Sequence, residues 1–228
     1  MKHSDHSLEG QRVLVTQAHK LMGPAISKCF EENGAEVFGD EQDYTLDPYL
    51  PERIVSAVGH VDVLVVNLRP SDIAASMIDA TEENSWRRMF DELVHPMMRF
   101  SRAVLPQMIE RKRGKIVVVS SAIALRPIDQ LSTYCAARGA QNAYVKAAGQ
   151  ESARNNVQIN AVGQNWVLGG YPENFMESER NRRRVERDVP AMRLGEGWEQ
   201  AELVLYLASN RSDFMSGQVI PFAGGWVT

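Results

Sequence analysis

Six short runs rich in β-branched residues, separated by helical patterns, constrain this chain more than any other feature. They are RVLVT (12–16), AEVFG (35–39), VDVLVVN (61–67), KIVVVSS (115–121), VQINAV (157–162) and GQVIPFAGG (217–225). A run that is apolar along its whole length reads as a strand buried on both faces, the situation of parallel strands. GPAISKCFEENG begins with an early proline and stops at Gly34, both helix-boundary signals. ENSWRRMFDELVHPMMRFSRAVLPQMIERKRG reads as a long helix interrupted at Pro96 and Pro106 and closed by Gly114. STYCAARGAQNAYVKAAGQESARNN is alanine-rich, with STY suggesting an N-terminal cap, and GWEQAELVLYLASN supplies a late amphipathic helix. Regular alternation of strand and helix predicts an α/β doubly wound parallel sheet, and 228 residues suit one domain spanning 1–228.

Composition narrows the function classes. A net charge of −4 gives no reason to expect nucleic acid or an anionic membrane as a partner. The start, MKHSDHSLEG, lacks the apolar core of a signal peptide, and no apolar run approaches a membrane span. Two cysteines, Cys29 and Cys135, are too few for a disulfide framework or a metal cluster. These features lead to the expectation of a cytoplasmic protein with no bound metal. The polar stretch 168–197 follows the strand ending near Val162, at the sheet edge where ligands bind, and reads as an excursion that lids a pocket. Its arginine run, 182–184, reads as a solvated helix face.

The turn after the first strand is TQAHKLMG, residues 16–23. A strand, a tight turn and a helix at this point usually form a dinucleotide site, which requires glycines for close backbone approach to the pyrophosphate. This turn has one, Gly23. A carboxylate at the end of the second strand, here Asp40, commonly binds the adenosine ribose, although GDEQD also reads simply as an acidic loop. Further along, Ser121 ends a strand, and Tyr134 and Arg138, four residues apart, project from one helix face.

Strand order, VDVLVVN, KIVVVSS, the tyrosine helix and the ending GQVIPFAGG resemble the short-chain dehydrogenase/reductase superfamily across essentially the whole chain. The resemblance implies a Rossmann-like sheet of about seven strands with helices on both faces. In that superfamily the turn reads T-G-x-x-x-G-x-G. Thr16 and Gly23 match it, while Gln17 and Leu21 stand at the first two glycine positions. The last glycine serves helix–strand packing and the missing ones serve the cofactor, so neither NAD(H) nor NADP(H) is expected to bind. The usual Y-x-x-x-K is Y-x-x-x-R here, and the superfamily's active-site asparagine falls on Leu93.

Ser121, Tyr134 and Arg138 match the S-x(12)-Y-x(3)-R pattern of the halohydrin dehalogenases, cofactor-independent relatives of the dehydrogenases, which the chain resembles. Their turn carries an aromatic residue where this chain has Leu21. The resemblance implies that Ser121 and Tyr134 hold the hydroxyl of a vicinal haloalcohol and that Arg138 favours the phenolate. Tyr134 then removes the hydroxyl proton, and the alkoxide closes an epoxide and expels halide. In reverse, azide, cyanide or nitrite opens an epoxide. It places the halide beside the loop GQNWVLGG, which makes Gln164, Asn165, Trp166 and Val167, with Leu21 opposite, the expected halide or nucleophile pocket. Backbone N–H groups there suggest an anion nest. Trp166 is equally readable as a wall or as a halide contact. The small-molecule partners are a haloalcohol or epoxide and a small anion, and the two long helices, about 86–112 and 132–153, imply a homotetramer. His19 reads as a solvated loop residue, His95 as core or interface packing, and Cys135 as buried and inert. An NAD(P)-dependent reductase remains the alternative, at the cost of excusing Gln17 and Leu21, Arg138 and Leu93. A catalytically dead binding protein would leave the Ser–Tyr–Arg register unexplained.

Overall fold

The computed structural model describes residues 8–73 and 75–227; the first seven residues of the polar amino terminus lie outside the described residues. One parallel sheet has the strand order β2-β1-β3-β4-β5-β6. Its strands are β1 (Arg12–Val15), β2 (Glu36–Gly39), β3 (Val63–Asn67), β4 (Gly114–Ser121), β5 (Val157–Gln164) and β6 (Val219–Phe222). Helices α1 (Gly23–Glu32), α2 (Leu50–Val58), α3 (Glu83–Arg111), α4 (Ser132–Ala153), α5 (Glu179–Asp188) and α6 (Gly197–Ala208) connect or cover them.

Successive side chains on a strand point to opposite faces, and the burial follows that rule. Leu64 and Val66 of β3, with Ile116 and Val118 of β4, join the core beneath α2, α3 and α4. Val63, Val65, Val117 and Val119 join the second core, beneath α1 and α6. This two-sided burial is why β3 and β4 carry no polar alternation. The edge strands β2 and β6 are only partly buried.

The sheet has six strands rather than about seven. The segment between β2 and α2 forms no ladder because its aspartates turn the backbone locally. Asp40 accepts from the Gln42 N–H at 3.1 Å, Asp43 from Thr45 at 2.9 Å and Asp47 from Tyr49 at 2.8 Å. Such side-chain caps compete with sheet pairing for the same N–H groups. The interruptions expected at Pro96 and Pro106 do not occur either, since α3 runs through both prolines. Packing against the sheet and α4 outweighs the lost helical bonds, and Gln141 of α4 donates to the Leu93 carbonyl at 2.7 Å, three residues before Pro96. The cap expected from STY is also absent: Leu131 occupies the N-cap position without a side-chain bond.

Residues 168–197 hold a short 3-10 turn (Glu173–Glu177) and α5. The polar face of this stretch conceals an apolar underside. Trp166, Val185, Val189 and Leu194 form a third small core with Ala122, Ala223 and Trp226. Among the described residues no helix is long and apolar enough to cross a membrane.

Candidate active site

The carboxyl ends of β4 and β5 build the centre of the site. Their register pairs Ser121 with Gln164, so the serine and the second residue of the GQNWVLGG loop are neighbours by hydrogen-bonded geometry. The first turn of α4 brings Tyr134 to the same edge. A cleft of about 470 Å³ opens there. Leu21, Ser121, Tyr134, Arg138, Gln164, Asn165, Trp166 and Val167 all line it, so residues separated by up to 146 positions meet around one cavity.

Ser121 is buried, accepts from the Ile123 N–H at 3.3 Å and donates to the Gln164 carbonyl at 3.4 Å. Arg138 is 2% exposed. Its Nε donates to the Tyr134 oxygen at 3.1 Å, Nη1 to Val119 O at 3.1 Å and Gln141 Oε1 at 2.9 Å, and Nη2 to Leu68 O at 2.9 Å. None of these acceptors is a carboxylate. A buried guanidinium without a carboxylate is costly by several kcal/mol unless negative charge comes to it. Four acceptors hold the guanidinium in one orientation, with Nε toward the Tyr134 oxygen at the edge of the cavity.

The turn after β1 keeps the backbone of a glycine turn without the glycines. Gln17 has φ 45° and Leu21 φ 51°, both left-handed. Such a conformation costs a side-chain-bearing residue roughly 1–2 kcal/mol. The turn is held by Asn67, whose Nδ2 donates to the carbonyls of Gln17 at 3.0 Å and Lys20 at 2.9 Å. Tyr44, fully inside, accepts from the Gln17 N–H at 3.1 Å, and burial pushes its phenol well up from the usual value. Gly23 is held for packing: a Cβ there would collide with the Ala18 carbonyl.

The fold implies a dinucleotide, and these residues do not fit one. Gln17 and Leu21 carry side chains at positions where a dinucleotide turn needs glycine, and the backbone of Leu168–Gly170 packs against Leu21. A Cβ on Gly169 would come within 2.8 Å of the Leu21 carbonyl oxygen, and Gly170 faces the Leu21 side chain. Asp40, the candidate ribose ligand, has both carboxylate oxygens turned to Gln42, each at 3.1 Å.

On the other wall, Asn165 N donates to Phe222 O at 3.1 Å, Trp166 N to Asn165 Oδ1 at 3.0 Å and Leu168 N to Gly195 O at 2.9 Å. These three N–H groups are engaged within the protein. Trp166 is itself buried, with φ 57°, and stacks on Tyr171 at 5.8 Å between ring centroids. Burial is the largest influence on Tyr171, whose phenol is pushed up to about 12 although Arg184 pulls it down, so it lines the cleft as a neutral hydroxyl. Arg184 also lines the cleft and lies 5.2 Å over the Trp166 ring. The arginine run is a solvated face, since all three side chains are exposed. Arg183 pairs with Glu179 and Arg182 caps carbonyls of Met176 and Glu177, while Arg184, its side chain 54% exposed, leans over Trp166 at the mouth of the cleft.

The sequence reading missed Gln141, Tyr171 and Arg184. Gln141 lies on the Tyr134–Arg138 helix face, a signal that was available; the other two needed the path of the excursion. Leu93 is wholly buried in the core, as its character demands. His19 sits 3.9 Å from Glu41 on the turn's outer side. His95 is not core: it is half exposed and bonds Asp91 at 2.9 Å. Cys135 is only partly buried, and its thiol meets the Ile123 carbonyl at 3.7 Å. Among the described residues no three His, Cys, Asp or Glu side chains are placed to hold a metal.

A solved structure described as a dehalogenation enzyme superposes with a TM-score of 0.89 at 26% identity, covering 96% of this chain and 99% of that one. A halohydrin dehalogenase bound to ethyl (2S)-oxiran-2-ylacetate gives 0.87 at 27% identity, covering 96% and 98%. Among curated proteins, the 3-oxoacyl-[acyl-carrier-protein] reductase of Thermotoga maritima is 28% identical over 96% of this chain and 99% of its own length. The sequence model of the enoyl-(acyl carrier protein) reductase family matches residues 9–227. Sheet, tyrosine helix and nearly full-length match agree: the chain belongs to that family, within the short-chain dehydrogenase/reductase superfamily.

Proposed function

We propose that this protein is a cofactor-independent halohydrin dehalogenase. It converts vicinal haloalcohols to epoxides and halide, and opens epoxides with small anions in reverse. The observation that carries the reading is Leu21, a side chain at a position the dinucleotide turn gives to glycine, packed against Leu168–Gly170 beside the Ser121–Tyr134–Arg138 set that lines the same cleft. The likeness to two dehalogenase structures supports it.

Ser121 and Tyr134 receive the substrate hydroxyl. Tyr134 takes its proton as general base, and Arg138, already donating to the phenolic oxygen, stabilises the charge that this oxygen carries before the transfer. The alkoxide attacks the neighbouring carbon from the side opposite the halogen. One C–O bond forms, the carbon–halogen bond breaks, and halide leaves with the electron pair. Tyr134 returns its proton to water. No hydride moves.

The test is a small bromo- or chloro-alcohol incubated with the protein and no cofactor, with halide and epoxide measured. Release of both is expected; none across a panel of haloalcohols sinks the reading. A second reading, an NAD(P)-dependent reductase, is favoured by the curated relatives, which are named as reductases and dehydrogenases. Titration with NADH and NADPH decides between them, since micromolar binding of either is expected only of the reductase. In solution we expect a homotetramer formed through α3 and α4, where Trp86 and Ile109 remain partly exposed. A monomeric mass at micromolar concentration would contradict it.

A further inference from the structure

Arg184 lines the mouth of the cleft, more than half exposed, and its guanidinium donates no hydrogen bond to any described residue. Arg184 approaches Asp188 only through Nε, at 3.7 Å. Asp188 is already held at both oxygens by Arg187, at 2.7 and 3.0 Å. Arg184 therefore lies over Trp166 with no hydrogen bond to any described residue, although it lines the same cavity as Ser121 and Tyr134. Its platform is rigid. Trp166 is stacked on Tyr171 with 14° between ring planes, and Tyr171 packs on Phe175 at 4.5 Å. Arg69, on the loop after β3, adds a second guanidinium to the lining and forms no ion pair among the described residues. Asp72 also lines the cleft, paired with Arg88 at 3.5 Å, and the chain as a whole is acidic, at −4, so the two arginines are a local feature rather than a general property of the surface.

A guanidinium held over an aromatic ring with no hydrogen-bonded partner keeps its planar N–H fork available to a ligand. That fork matches two oxygens held in one plane, and a spherical halide uses it poorly. The backbone N–H groups of 165, 166 and 168 are engaged within the protein and do not compete for such an anion. We propose that Arg184, on its Trp166–Tyr171 platform, forms a subsite for planar oxyanions, carboxylate or nitrite in type. The anion has two possible sources: a free nucleophile that attacks an epoxide, or a carboxylate carried by the substrate. This assignment of sources rests on the dehalogenase reading; oxyanion binding itself does not.

The experiment measures binding by calorimetry on the intact protein, without turnover. Acetate is compared with its neutral isostere acetamide and with chloride. Acetate should bind at least tenfold more tightly than either. Arg184→Gln should remove that preference and leave acetamide unchanged; Arg184→Lys, which keeps the charge and loses the fork, should recover less than a tenth of it. Equal affinities for acetate and acetamide, acetate binding no tighter than chloride, or an unchanged preference in Arg184→Gln, would each overturn the proposal. Two further arms separate the sources. Binding of 3-hydroxybutanoate more than tenfold tighter than acetate assigns the oxyanion to the substrate, and a hydroxy ester formed from acetate and an epoxide assigns it to the nucleophile. Halide release from neutral haloalcohols is scored independently, so the dehalogenase reading can fail while the oxyanion site stands, and the reverse.

Discussion

The turn after β1 and the wall made by β4 and α4 face the same cleft, and they have diverged from the superfamily pattern to very different degrees. The wall keeps a serine, a tyrosine and a cation in register, with the guanidinium fixed by four acceptors. The turn keeps its path, left-handed at residues 17 and 21, and carries side chains at two positions where the superfamily pattern has glycine. Gly23 survives because Ala18 leaves no room for a Cβ. The difference teaches that a glycine turn's backbone path can persist without its glycines when tertiary contacts hold it. Asn67 and Tyr44 supply those contacts here, and they compensate for strain that glycine would not have incurred.

If the wall carries the chemistry and the turn only the shape, substitutions should divide accordingly. Tyr134→Phe should have the largest effect, lowering halide release and epoxide opening by at least about 10³-fold, within the range for a lost general base. Retained activity would remove Tyr134 from that role. Ser121→Ala should lower kcat by about 10²–10³-fold, as loss of a donor to a developing oxyanion does; a change confined to KM would reduce the serine to a binding contact. Arg138→Lys should reduce activity by at least about tenfold with the circular dichroism spectrum unchanged, because lysine cannot serve four acceptors in three directions.

On the turn, effects should appear in stability instead. Gly23→Ala should cost about 2 kcal/mol through overpacking and lower Tm by roughly 4–8 °C. Leu21→Gly should change stability by less than about 1 kcal/mol, as relief of the left-handed strain offsets lost burial and a freer unfolded chain. It should not restore NADH binding, because Leu168–Gly170 still covers the turn. Restored micromolar binding would show that Leu21 alone closes the site and would collapse the contrast between the two regions.

Much of the fold and of the candidate site was legible along the chain. The six apolar runs located the six strands to within a few residues, since burial on both faces leaves a pattern with no polar alternation. Eight side chains expected around one cleft line one cleft, because strand ends and the first turn of a helix have fixed directions. The aspartate turns of 40–49 were less legible: their N–H groups could pair with a strand or a side chain, and only the assembled loop shows which wins.

By itself, the sequence determined the parallel sheet and the Ser121–Tyr134–Arg138 register, both of which follow from local periodicity and helical spacing. Only the tertiary structure decided what the polar excursion does. Its apolar side chains are scattered through a charged segment and acquire a common face only when Trp166, Val185 and Val189 meet Trp226. That packing seats Gly169 on the turn and swings Arg184, one of three consecutive arginines, over Trp166. Nothing local distinguishes it from Arg182 and Arg183. The distinction is made by which side of α5 faces the core, and so by the whole chain's burial.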